Sequence, residues 1–147
     1  MQFFFGGGNT YKLLFELKLG GCIEKIKEYI KNDGVVFGGS AGAIIMGYDI
    51  KSSECEDENN VGLVNTKGLD ILNGIAIFCH YTNREADKNE INKIFLTNTS
   101  NEIKIVALPE EDTIYVHNEG IEVYGNKPYY IFDKGSINII EKEKDRN

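Results

Sequence analysis

Apolar residues along this chain follow two rhythms, and the changes between them mark out its elements. "QFFF" at residues 2–5 is an unbroken apolar run that ends in Gly6-Gly7-Gly8, which predicts a short buried strand. Leu13, Leu14 and Leu17 then recur at helical spacing, with Asn9 or Thr10 placed to cap that helix. Ile23, Ile26 and Ile30 in "CIEKIKEYIKN" predict a second helix, stopped at Gly34. "VVFGG" reads as the next strand and "AGAIIMGY" as the helix it feeds, whereas residues 51–62, "KSSECEDENNVG", have no period and predict a surface loop. "GIAIFCHY" predicts another buried strand, "KNEINKIFLTN" a helix and "IKIVALP" a strand. From Thr113 onward the pattern becomes short strands meeting at Gly120, Gly125 and Gly135.

Strand and helix alternate and then strands follow alone, so the expected fold is α/β. It has a mainly parallel sheet flanked by helices on both faces and a C-terminal β-hairpin region. The 147 residues, 41% of them hydrophobic, suffice for one domain over residues 1–140, followed by a charged tail at 141–147. A net charge of −7 repels phosphate backbones and argues against a nucleic-acid partner. No apolar run approaches the roughly 18 residues of a membrane span. The N-terminal stretch lacks the basic region of a signal peptide. Cys22, Cys55 and Cys79 fit neither a zinc site nor a disulfide framework, and the expected compartment is a reducing cytoplasm.

Active sites of parallel sheets gather at the carboxyl ends of the strands. Here "VVFGG" ends in Ser40, "IAIFC" in His80 and "IVALP" in Glu110. Serine, histidine and carboxylate are the set that nucleophilic catalysis needs: the imidazole takes the serine proton and the acid orients the imidazole. Gly-Gly-Ser-Ala-Gly also has the G-x-S-x-G pattern of a nucleophile elbow, where small neighbours let the chain double back. The Ala41 amide would then point at the substrate oxygen, with Gly7 or Gly8 supplying a second oxyanion donor. Plainer readings exist for each part. Such a turn is often only a tight βα connection, GGGNT could hold a phosphate, and a lone histidine after a strand is often structural. Glu110-Glu111-Asp112 could be a solvated acidic run, and His117 a surface residue. The loop bearing Glu54, Glu56, Asp57 and Glu58 lacks calcium-loop spacing and reads as solvated rather than metal-binding.

"FFGGGNTYKLL", "GGSAGA", "CHYTN" and "ALPEEDTIYV", in this order, resemble the peptidase E family (S51) of serine peptidases, which includes aspartyl dipeptidases. The resemblance implies a three-layer, flavodoxin-like fold similar to class I glutamine amidotransferase domains. It makes Ser40 the nucleophile, His80 the general base and Glu110 the orienting acid, with Gly7 and Ala41 as oxyanion donors. An auxiliary aspartate of the family falls nearest Asp57, with Glu54 as its rival, and Gly8, Asn9 and Arg84 become substrate-binding positions. The implied reaction is hydrolysis of short peptides near a free N-terminus through an acyl-enzyme, without metal or cofactor. A silent amidotransferase-like binding module and a phosphate or nucleotide binder using GGGNT are the alternatives. True amidotransfer is disfavoured, because that chemistry wants cysteine at the elbow.

Two departures from the family pattern shape the expectation. "YTNREADKNE" offers Arg84 and Lys88 but also Asp87 and Glu90, so aspartate specificity does not carry over. The family domain also begins upstream of the glycine loop, so this chain is expected to lack N-terminal βα units. Exposed sheet edge would follow, to be met by a homodimer or a complementing partner chain.

Overall fold

A computed structural model describes residues 2–142. The charged tail expected at 141–147 lies, from residue 143 on, outside the described residues. The chain forms two compact units divided between Ile77 and Phe78.

In the first unit, β1 (Gln2–Phe5) and β2 (Val35–Gly38) pair in parallel, with Phe5 opposite Gly38. Helices α1 (Thr10–Leu19) and α2 (Cys22–Lys31) connect them, and α3 (Ala41–Ile44) follows β2. Asn9, one of the two expected caps, takes the position: its side chain accepts from the Lys12 amide. Leu14, Ile26, Ile44, Ile45 and Ile50 are buried at the centre of this unit.

Three expectations are corrected here. The apolar run predicts a buried β1, yet its Phe4 is 66% exposed, and the Phe37 ring of β2, stacked on it at 5.7 Å, is 57% exposed. Phe3, on the opposite face, meets Tyr29 of α2 edge-on at 4.9 Å. A two-stranded sheet with helices on one face leaves alternate side chains uncovered, which an apolar run alone does not reveal. The helix read over 41–48 closes after Ile44, because the carbonyls of Ile45, Met46, Gly47 and Tyr48 accept from Leu69, Ile71, Asp70 and Gly68 instead of the next helical turn. The segment read as a surface loop starts with a buried 3-10 turn, Ile50–Ser53. The Ser52 hydroxyl donates to the Ile77 carbonyl at 2.6 Å and that of Ser53 to the Ile50 carbonyl at 2.8 Å. Satisfied hydroxyls can be buried at little cost.

β3 (Ile75–Phe78) crosses the boundary between the units. The second unit holds α4 (Ala86–Thr99), β4 (Lys104–Ala107), β7 (Tyr129–Asp133) and β8 (Ser136–Ile140), in a sheet of order β3-β4-β7-β8. β4–β7 and β7–β8 are antiparallel, and β5 (Thr113–His117) and β6 (Gly120–Tyr124) form a separate antiparallel hairpin. The hairpin region expected at the C-terminus is therefore present, its turns at the three glycines foreseen. Tyr81 anchors this unit's core, with rings of Tyr130 at 4.7 Å and Phe132 at 5.5 Å. No helix among the described residues is long and apolar enough to cross a membrane.

Burial, helped by Tyr130 and Glu90, pushes the Tyr81 phenol from 10.0 up to about 12. Burial and the acids Glu54, Asp49 and Asp57, with Cys55, do the same to Tyr11. A phenol harder to ionise when folded adds stability that is complete below pH 10.0 and is lost as pH rises through about 12. Thermal melts across this range should show a falling midpoint, and Tyr81→Phe should flatten that fall. An equally steep fall in the variant would refute the assignment.

Candidate active site

Parallel pairing of β1 and β2 places the ends of both strands on one edge, so Gly6-Gly7-Gly8 and Gly39-Ser40 leave side by side. The Gly39 amide extends the pairing, donating to the Phe5 carbonyl at 3.0 Å. Ser40 stands at the N-cap of α3 with φ 52 and ψ −116, a left-handed conformation unusual for a residue with a side chain. Its neighbours explain the glycines. A β-carbon on Gly42 would overlap the Phe5 carbonyl, and one on Gly38 would overlap the Gly42 carbonyl and Met46. Gly39, by contrast, faces open space. A β-carbon on Gly7 would lie 3.6 Å from Ser40 Cβ and 3.9 Å from Oγ, so the Gly7 backbone borders the serine. Ala41 opens α3, and its amide has no acceptor within the helix.

Asp57 fixes the glycine loop from behind. Its Oδ2 accepts from the Thr10 amide at 3.0 Å and from the Thr10 hydroxyl at 2.5 Å. Asn9 Nδ2 reaches the neighbouring Glu58 carbonyl at 2.9 Å. The carboxylate thus sits at the N-terminus of α1, where the helix dipole favours negative charge. Glu54 is exposed, and its charge helps to raise the Tyr11 phenol. Gly8 takes φ 131, open to glycine alone, as the loop turns into the helix. Among the described residues, no three His, Cys, Asp or Glu side chains cluster as a metal site.

In the second unit, backbone bonds align the ends of β3 and β4: the Leu108 amide donates to the Phe78 carbonyl at 2.9 Å and the Tyr81 amide to the Leu108 carbonyl at 3.0 Å. That register brings His80 Nδ1 to 2.7 Å from Glu110 Oε1, with 29% and 53% of the two side chains exposed. His80 also has a left-handed φ of 59. The three consecutive acids do not form one solvated run. Glu110 engages His80, Glu111 accepts from Asn83 at 3.4 Å, and the Asp112 side chain is fully buried with Lys142 Nζ 3.8 Å away. Arg84 lies in the loop before α4, its amide donating to Asn89 Oδ1 at 3.0 Å. His117 pairs with Glu122 in the β5–β6 hairpin, at 3.2 Å. Thr10 and Asn83 received no role at the site from the sequence, although both stand inside the motifs that drew attention there. Each serves through hydrogen bonds to residues distant along the chain.

The model of peptidase family S51 matches residues 2–124. The chain belongs to that family. Among curated relatives, peptidase E of Escherichia coli K12 (DH10B) and of Shigella boydii serotype 18 are each 29% identical to it over 139 residues, 88% of this chain and 58% of theirs. This S51 chain therefore spans less than two thirds of the length of those relatives. A crystal structure of a protein from Listeria monocytogenes EGD-e, named there as a peptidase E, matches with a TM-score of 0.70 and 28% identity, covering 83% of this chain and 58% of that one. A peptidase structure from an acI-B1 Actinobacterium shares the fold at a TM-score of 0.70 and 15% identity, over 97% of this chain and 57% of that one. The expected α/β fold class, sheets flanked by helices, is thus the fold of this S51 chain.

The elbow packing has a measurable consequence. Gly42→Ala should cost about 1–3 kcal/mol in urea unfolding, because the added methyl meets the Phe5 backbone, whereas Gly39→Ala should stay within about 0.5 kcal/mol. Equal effects at the two positions would show that the backbone contact does not constrain the turn.

Proposed function

We propose that this chain acts as a serine-type peptidase, hydrolysing short peptides near a free N-terminus through an acyl-enzyme on Ser40. One observation carries the reading: His80 Nδ1 and Glu110 Oε1 are 2.7 Å apart at the ends of neighbouring strands. A carboxylate there accepts the Nδ1 proton, leaving Nε2 as the basic nitrogen and stabilising the imidazolium that forms. Membership of family S51 and the left-handed Ser40 support it.

In the proposed reaction, Ser40 Oγ attacks the peptide carbonyl carbon and its proton passes to His80 Nε2. The carbonyl electrons move onto oxygen, which the Gly7 and Ala41 amides stabilise; each such donor is worth about 3–4 kcal/mol of barrier. Collapse expels the amine, which takes the proton from His80, and water then releases the acid by the same steps. Asp57 acts at a distance, holding Thr10 and with it the glycine loop. Gly8, Asn9 and Arg84 are proposed to border the substrate. The phosphate-binding alternative for GGGNT loses ground, because the Asp57 carboxylate already fills the anion position at the start of α1.

Intact-mass spectrometry after incubation with a fluorophosphonate tests this. The expected result is a single adduct, absent from Ser40→Ala and formed at least ~100-fold more slowly in His80→Ala. A folded chain that takes up no adduct would overturn the peptidase reading and favour the silent binding module.

A further inference from the structure

We infer that Asn83 is a positioning residue that clamps the Glu110 loop onto the His80 turn and so fixes the tautomer of His80. The inference rests on the proposed peptidase role for its importance, but its geometry stands by itself. Three groups of Asn83 are engaged. Its amide donates to the His80 carbonyl at 3.0 Å, closing the turn in which His80 and Thr82 take φ of 59 and 69. Its side-chain Oδ1 accepts from the Glu110 amide at 2.8 Å, and Nδ2 donates to Glu111 Oε2 at 3.4 Å.

One residue therefore closes the loop that bears the imidazole and grips the backbone that bears the carboxylate. Other anchors flank Glu110 without holding it. Leu108 is tied to Phe78 before it, and the Asp112 amide bonds to the Pro109 carbonyl after it. The Glu110 side chain is 53% exposed, so packing restricts its direction little. Its aim follows from its backbone, and Asn83 is what grips that backbone.

The residue type fits the task. A carboxamide offers an acceptor to the Glu110 amide and a donor to the Glu111 carboxylate from two separate atoms of one short side chain. Aspartate would keep the acceptor and set a negative charge against Glu111, while alanine would keep neither group. Asn83 is itself exposed. Bonds open to water add little to folding, so its removal should leave the fold intact while freeing Glu110 to turn away. His80 would then lose the partner that keeps its proton on Nδ1.

The chain's two histidines make the test direct, because His117 provides an internal reference of the opposite kind. Its Nδ1 accepts from the Glu119 amide at 3.3 Å and its Nε2 faces Glu122. With ¹⁵N-labelled histidine at about pH 9, where a normal imidazole is neutral, long-range ¹H–¹⁵N spectra should show His80 protonated on Nδ1 and His117 on Nε2. Asn83→Ala should turn His80 mainly to the Nε2–H form, leave His117 unchanged, and slow fluorophosphonate labelling of Ser40 at least tenfold. Asn83→Asp, which keeps the Glu110 acceptor, should restore the Nδ1–H form. Asn89→Ala should leave the tautomer alone, because it loosens the same loop only at Thr82 and Arg84. In a Glu110→Ala background, Asn83→Ala should have no further effect on the labelling rate, since it acts through Glu110.

If the alanine chain does not fold, Asn83→Ser, too short to reach the Glu110 amide, should show the same tautomer change. A folded Asn83→Ala or Asn83→Ser chain with His80 still on Nδ1 would overturn the inference. So would additive losses in the double variant. Absence of labelling in the unaltered chain would remove the peptidase reading alone, while the tautomer response would still decide the role of Asn83.

Discussion

The backbone of α3 touches the backbone of β1, and much of the first unit's site depends on that approach. It is possible only because Gly42 carries no side chain where the Phe5 carbonyl stands. With α3 seated so close, the chain must reverse within Gly39 and Ser40, and the reversal forces Ser40 into its left-handed conformation. The same approach brings Gly7 beside the serine, because β1 and β2 run parallel and end together. Glycine serves at position 42 by occupying no volume, and at position 8 by accepting a φ closed to other residues.

The second unit reaches its geometry differently. His80 and Glu110 are both partly open to solvent. Backbone bonds between Phe78, Tyr81 and Leu108 set the register, and the buried ring cluster around Tyr81 keeps it rigid. Rigidity thus lies one layer beneath the chemistry, and the exposed groups inherit it through short loops. The first unit follows the same division: Asp57 grips Thr10, and Thr10 is fully buried beneath the glycine loop.

The sequence made the local parts of this arrangement legible and hid the distant ones. G-x-S-x-G marked the turn at Ser40 because its requirement for small residues is met by near neighbours. His80 and Glu110 were legible as strand-end residues because apolar runs stop just before them. The brief α3 was not legible, since its ending depends on carbonyls captured by residues 68–71. Nor was the burial of Ser52 and Ser53, whose hydroxyls find backbone partners that no pattern of polarity reveals. Exposure of Phe4 and Phe37 failed in the other direction: an apolar strand reports the wish for cover, while the number of layers decides whether cover exists. Nor did the sequence reveal that Asp57 reaches Thr10, a matter of loop path alone.

The left-handed backbone at Ser40 and His80 bears on how such a chain changes over generations. At φ of 52 and 59, any residue with a β-carbon is strained and glycine is relaxed. Mutation toward glycine at either position would ease the fold and delete the hydroxyl or the imidazole in a single step. A lineage under selection for stability alone would gain by that step twice over. Serine and histidine in these conformations thus place a hydroxyl and an imidazole where the backbone by itself would favour glycine.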